Sequence, residues 1–252
     1  MPRAAFATGA RPVVAVIVFP GTWSERDFAH VAGEVLGWEP RLVWHTEAEL
    51  GRADALVLPG GFAHGDHLRT GAIARFSPVM PAVAAYAAEG GPVIGSCNGF
   101  QILCEAGLLP GALMRNEHLE YRCDWQWLRV EHPASAPAWL GGVADGETIR
   151  LPISHGEGRY VADPATLDAL EAARRVVLRY ADSAGRVTAA ANPNGSERGI
   201  AGIVNERGNV LGLMPHPERA AETEVGGRDG LRLFRALERW LAARPAAAER
   251  RV

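Results

Sequence analysis

The run Gly95-Ser96-Cys97-Asn98-Gly99, closing the apolar stretch Pro92-Val93-Ile94, constrains the fold more than any other segment. It predicts a short buried strand that turns sharply into a helix, with a cysteine at the turn. The spacing G-x-C-x-G is the thiol counterpart of the G-x-S-x-G nucleophile elbow, whose strand-to-helix turn pushes the nucleophile into a cleft. Two glycines allow the backbone to fold tightly there. The helix that follows would aim free N–H groups and the positive end of its dipole at the sulfur, favouring the thiolate. A free cysteine is only a few per cent thiolate at neutral pH, so a partner base is expected elsewhere.

An elbow of this kind needs a parallel sheet, and the flanking sequence supplies one. Residues 13–19 (VVAVIVF) form an apolar, β-branched run, as a central parallel strand requires. Ser24 then reads as a helix cap, with Asp27 in a capping-box-like position and Phe28, Val31, Val35 and Leu36 on one face. Strands follow at 41–45, 55–58 and 92–95. A glycine-rich loop runs from Pro59 to Gly71, and helices are expected at about 78–89 and from the elbow to about Ala106. The second half reads as short β segments at 125–131, 147–153, 158–162, 176–180 and 187–191. A hairpin follows, Ile200–Val204 against Val210–Met214. A closing helix at about 229–242 buries Leu231, Phe234, Leu237 and Leu241. The fold class is therefore α/β, a parallel central sheet with helices on both faces plus antiparallel β additions. No linker divides the chain, so 1–252 reads as one domain with its core at about 13–242 and a frayed tail, PAAAERRV. Ligands of such a sheet bind beyond the carboxyl ends of its strands, where Pro59-Gly60-Gly61 and the elbow both fall.

The base candidate lies in Met214-Pro215-His216-Pro217-Glu218. A residue before proline is pushed into an extended conformation, and residues two apart in an extended segment point the same way. His216 and Glu218 should then project together, His216 taking the Cys97 proton and Glu218 orienting the imidazole. Acyl transfer also needs an oxyanion hole, each donor of which contributes roughly 10²–10³ in rate. The N–H of Asn98 is one natural donor. Gly61, in a loop where the absent side chain permits close approach, is the second. Because that loop is glycine-rich it can rearrange, so the isolated chain is expected to be weakly active and a docked partner to order it, raising kcat at least about tenfold. Cys104 and Cys123 read as small buried apolar residues.

Bulk properties narrow the setting. The chain has 252 residues, 48% of them hydrophobic, enough for one large core. A net charge of −3 argues against a nucleic-acid or membrane-surface protein. No apolar run reaches the roughly 18 residues a transmembrane helix needs, and the start lacks the apolar segment of a secretory signal. Three cysteines without a C-x-x-C pair suggest no disulfide framework and a reducing, cytoplasmic setting. No Cys/His cluster has zinc-ligand spacing, and no G-x-x-x-x-G-K-[ST] loop is present, so neither metal nor nucleotide is expected on this chain.

Six segments carry a resemblance covering about residues 13–240: PGGFAHGDHLRTGAIA (59–74), GSCNGFQIL (95–103), GLLPGAL with the following RN (107–116), PISHGEGRYV (152–161), NPNGS (192–196) and GLMPHPERA (212–220). Through them the chain resembles the glutaminase subunits of phosphoribosylformylglycinamidine synthase, which are flavodoxin-like class I glutamine amidotransferases. The resemblance implies a Cys97-His216-Glu218 triad that hydrolyses L-glutamine to glutamate and ammonia, with Gln101 helping to hold the substrate. It implies a synthase partner, a small accessory subunit, and ATP and magnesium on that partner. The chain departs from the family at Ser96, where an aliphatic residue is usual, and at His64 and His67, where aromatic side chains are common. It is also longer at both ends and around 132–146. Its rivals are another class I glutaminase, a thiol hydrolase of the same fold, or a non-catalytic regulatory subunit.

Overall fold

Val13, Val14, Ala15, Val16 and Ile17 are all buried, as a β-branched run covered on both faces must be. They belong to β1 (Val13–Val18), inside a nine-stranded sheet of the computed structural model, which describes residues 11–243. Along the chain follow β2 (Glu39–Trp44), β3 (Ala55–Leu58), β4 (Val93–Ser96), β5 (Ala112–Met114), β6 (Arg122–Val130), β7 (Thr148–His155), β8 (Arg159–Val161), β9 (Val176–Ala181), β10 (Ile200–Val204) and β11 (Val210–Leu213). The sheet order is β2-β1-β3-β4-β11-β10-β9-β6-β7, with β5 and β8 forming a separate ribbon. From β2 to β11 neighbours run parallel. From β11 to β7 they run antiparallel. The parallel sheet with antiparallel additions is thus the architecture observed.

Period-two alternation along the strands divides the core. Val14, Val16, Val57 and Ile94 face one layer, with Phe28 of α1 (Glu25–His30). Ala15, Ile17, Leu56, Leu58 and Val93 face the other. There they meet Val83 of α2 (Met80–Ala88) and Phe100 of α3 (Asn98–Glu105). Further along the chain come α4 (Pro137–Leu140), α5 (Pro164–Ala172) and α6 (Leu231–Ala243). The last returns Phe234 and Leu237 to the first layer, and Leu241 packs against it as expected.

Several expectations are corrected. Residues 187–191 form no strand. Ala189–Ala191 is a 3-10 turn capped by the Thr188 hydroxyl; none of its alanines is buried, so they offer no apolar face for pairing. The first helix continues past His30 as a π-helical stretch over Val31–Val35. Helix α5 was not anticipated, although Asp163 caps it through the Thr166 N–H at 3.0 Å and Pro164 occupies its first turn. Cys104 is buried as expected, but Cys123 is exposed, at the solvent-facing start of β6. The expected fraying of the tail lies outside the described residues.

Candidate active site

Three adjacent parallel strands end side by side. Register pairs Leu58 of β3 with Gly95 of β4, and Ser96 of β4 with Leu213 of β11. The segments leaving these strands therefore emerge together: Pro59-Gly60-Gly61, Cys97-Asn98, and Met214 through Glu218. This is how residues more than 100 positions apart come to share one cleft.

The elbow is anchored by the Cys97 N–H, which donates to the Leu213 carbonyl at 2.8 Å. Cys97 itself adopts φ 51°, ψ −107°, a conformation costing about 1–3 kcal/mol for a residue with a side chain. The flanking glycines act differently from the expectation that they make the turn. A Cβ on Gly99 would lie 1.9 Å from the Leu58 carbonyl oxygen, and one on Gly95 would lie 2.6 Å from the Gly99 backbone. Their role is to let α3 press onto the strands, which forces the strain onto the cysteine.

His216 and Glu218 meet, but not by the route expected. His216 is extended (φ −105°, ψ 90°), whereas Glu218 lies in a 3-10 turn over Pro217–Ala220. The turn carries the carboxylate back to the ring, and Nδ1 and Oε1 stand 2.5 Å apart with both side chains buried. With Nδ1–H donating to the carboxylate, the free position is Nε2, which has no hydrogen-bond partner among the described residues. Burial opposes protonation of His216, but the charges of Glu218 and Cys97 outweigh it and push the pKa up to about 10. The Cys97 Sγ donates to the Ser154 carbonyl at 3.6 Å. The His216 N–H is held by the Pro152 carbonyl at 2.8 Å, so β7 supports both residues.

The Gly60 carbonyl accepts from the N–H groups of Trp23 (3.0 Å) and Ser24 (3.1 Å). The Gly60–Gly61 peptide is trans and planar, so the Gly61 N–H points the opposite way. Gly61 has φ 154°, and a Cβ there would sit 2.7 Å from the Gly21 oxygen and the Thr22 Cα. A Cβ on Gly60 would lie 2.6 Å from Cε1 of His216, so this turn abuts the imidazole. Asn98 begins α3, and its side chain braces the glycine loop: Oδ1 accepts from the Ala63 N–H at 3.0 Å. Its Nδ2 donates to Gln101 Oε1 at 2.8 Å, and Gln101 Nε2 donates to the Glu157 carbonyl at 2.6 Å. Gln101 thus ties the elbow helix to the 155–158 turn, keeping one amide hydrogen and one acceptor position uncommitted.

Three residues were missed or read otherwise. Ser24 was expected to cap α1, yet makes no side-chain cap bond; its hydroxyl accepts from the Gly60 N–H at 2.9 Å. Ser96, which stands where the family usually has an aliphatic residue, has a buried hydroxyl that reaches the Pro215 carbonyl (3.1 Å) and Glu218 Oε2 (3.4 Å). His155 ends β7 beside Ser154, with Nδ1 3.1 Å from Asn116 Oδ1. Burial, then the nearby charge of His216, lowers its pKa to about 3, so it stays neutral. Of the unusual histidines, His64 packs edge-on against His45, and His67 is exposed. Among the described residues no group of three or more His, Cys, Asp or Glu side chains is arranged to hold a metal ion.

Comparison with known proteins shows the family. Residues 11–241 match the family described as the CobB/CobQ-like glutamine amidotransferase domain. The phosphoribosylformylglycinamidine synthase subunit PurQ of Moorella thermoacetica is 53% identical over 225 residues, covering 89% of this chain and 94% of that protein. The same subunit of Gloeobacter violaceus is 56% identical over 223 residues, covering 88% and 95%. A chain of the PurLQS structure from Thermotoga maritima superposes with a TM-score of 0.80 at 41% identity, over 92% of this chain and 99% of that one.

Proposed function

The chain belongs to the CobB/CobQ-like glutamine amidotransferase domain family, among the glutaminase subunits of phosphoribosylformylglycinamidine synthase, and from that membership we propose how its residues work. Cys97 attacks the side-chain amide carbon of L-glutamine. His216 holds at Nε2 the proton drawn from the Cys97 thiol, as its raised pKa favours, and gives it to the departing nitrogen, while Glu218 holds the ring and balances its charge. The N–H groups of Gly61 and Asn98 receive the oxyanion. Water then attacks the thioester, with His216 as base, and releases L-glutamate. Gln101 orients the substrate from one turn along the elbow helix.

The ammonia passes to a synthase subunit, where ATP-dependent chemistry converts formylglycinamide ribonucleotide to formylglycinamidine ribonucleotide in purine biosynthesis. In this reading ATP and magnesium bind to that synthase, and a small accessory subunit completes the assembly; the Thermotoga relative is part of a structure described as PurLQS. The chain works as a single domain in the cytoplasm; no helix among the described residues is long and apolar enough to cross a membrane. The observation that supports this reading most is the buried His216–Glu218 pair at 2.5 Å, with a free Nε2, beside the strained cysteine of the elbow. A regulatory subunit without catalysis would have no need of that arrangement.

The test is Cys97→Ser in the assembled complex. Glutamine-dependent synthesis should be lost while synthesis supplied with free ammonia continues. Equal loss of both would make Cys97 structural.

A further inference from the structure

Ser24 occupies the position before α1 where a hydroxyl ordinarily caps the helix, a contact whose loss costs typically ~1 kcal/mol. Here no cap bond forms. The side chain is fully buried and turned toward a residue 36 positions away. Its Oγ accepts from the Gly60 N–H at 2.9 Å, while its own backbone N–H donates to the Gly60 carbonyl at 3.1 Å. The hydroxyl also reaches the Gly60 carbonyl at 3.5 Å, so one residue grips both polar groups of Gly60, and the Trp23 N–H adds a further bond at 3.0 Å. A peptide held at its carbonyl cannot rotate without breaking those bonds, and the N–H of Gly61 belongs to the same peptide.

We propose that Ser24 is a positioning residue for the oxyanion hole: it gives up the helix cap in order to lock the Gly60–Gly61 peptide with the Gly61 N–H turned toward the reacting carbonyl. This rests on the assignment of Gly61 as an oxyanion donor. The lock also explains why residue 60 is glycine. A Cβ there would lie 3.3 Å from the Ser24 hydroxyl and 2.6 Å from the His216 ring, so the clamp and the base close on it from two sides. At this peptide the carbonyl is already bonded to Trp23 and Ser24, and the preceding Gly60 N–H to the Ser24 hydroxyl, so any rearrangement of the glycine loop has to begin beyond Gly61 or break these bonds.

Two reactions of Cys97 separate this role from general damage. Hydrolysis of glutamine passes through an oxyanion. Alkylation by iodoacetamide displaces iodide and forms none. Ser24→Ala leaves both backbone donors on the Gly60 carbonyl, so the donor is loosened rather than lost. Its glutaminase kcat should fall about tenfold, less than the 10²–10³ of a donor removed outright. KM and the iodoacetamide rate should stay within about twofold, because neither depends on the oxyanion donors. Ser24→Thr, which keeps the acceptor, should retain most of kcat. An unchanged kcat in a folded Ser24→Ala, checked by thermal melting, overturns the proposal. So does an equal fall in kcat and alkylation, which would mean that the site had collapsed. If Cys97→Ser still hydrolyses glutamine, the triad reading itself fails. If it does not, and Ser24→Ala is silent, only the clamp fails.

Discussion

His216 is held between burial, which disfavours its charge, and Glu218, which demands it. The carboxylate prevails, and the pKa moves from an ordinary 6.5 up to about 10. The folded chain therefore binds a proton that the unfolded chain releases between those values. The resulting stabilisation is complete below about pH 6.5 and is lost as pH rises toward 10. Glu218→Gln removes the largest of the influences that hold the proton and leaves burial opposed only by Cys97. The melting temperature of the parent should thus fall from pH 7 to 10 more steeply than that of Glu218→Gln, as followed by circular dichroism. Identical slopes would show that the pair is not linked to folding. At this scale Cys97, His216 and Glu218 were legible as candidates because cysteine, histidine and glutamate carry their chemistry in their identities. Ser24 and Ser96 were not. A serine's partner is decided by whichever donor or acceptor tertiary structure brings near, and for Ser24 that partner is 36 residues away.

Among the elements, α3 depends most on what it lacks. A methyl on Gly99 would overlap the Leu58 carbonyl at 1.9 Å, and backbone cannot yield as a flexible side chain can. Gly99→Ala must push α3 away from β3, carrying Cys97 and the Asn98 N–H with it. Overpacking of this kind costs typically about 1–3 kcal/mol, which urea denaturation would register. The glutaminase rate should fall with it, because the elbow and the Gly61 peptide sit on different elements and lose their register. A stable, fully active Gly99→Ala would mean that the helix can shift without moving the site. The parallel strands were readable from sequence because their apolar runs are continuous, and the closing helix because its apolar residues recur on one face. The region 187–191 misled because alternation there is exposed and too weak to recruit a neighbour. Helix α5 escaped because its start lies in capping chemistry, Asp163-Pro164-Ala165-Thr166, rather than in an apolar stripe.

For the whole molecule, the arrangement of apolar surface around the cleft says where a synthase would sit. Trp23, whose N–H holds the Gly60 carbonyl, is itself 72% exposed. Phe62 follows Gly61 and is also exposed, and exposed Tyr121 bonds to Ser154, whose carbonyl receives the Cys97 thiol. Beyond Phe62 the loop holds His64, Gly65, Asp66 and Leu68 at positive φ, and Leu68 is 92% exposed. Such conformations cost free energy in non-glycine residues, and exposed large apolar side chains near a cleft mark an interaction surface. Ammonia released at Cys97 must leave without meeting bulk water, so the partner has to cover this rim. Since Ser24 already fixes the Gly61 peptide, the loop from Phe62 to Leu68 is the part left for the partner to engage. Leu68→Asp places a charge in that contact without touching the triad or the Gly60 clamp. It should weaken assembly with the synthase at least about tenfold, since a buried unpaired charge is strongly disfavoured at an interface. The rate of Cys97 alkylation by iodoacetamide should stay within about twofold of the parent, because that reaction is local to the elbow. Assembly measured by analytical ultracentrifugation would decide it: undiminished association of Leu68→Asp would place the synthase on another face.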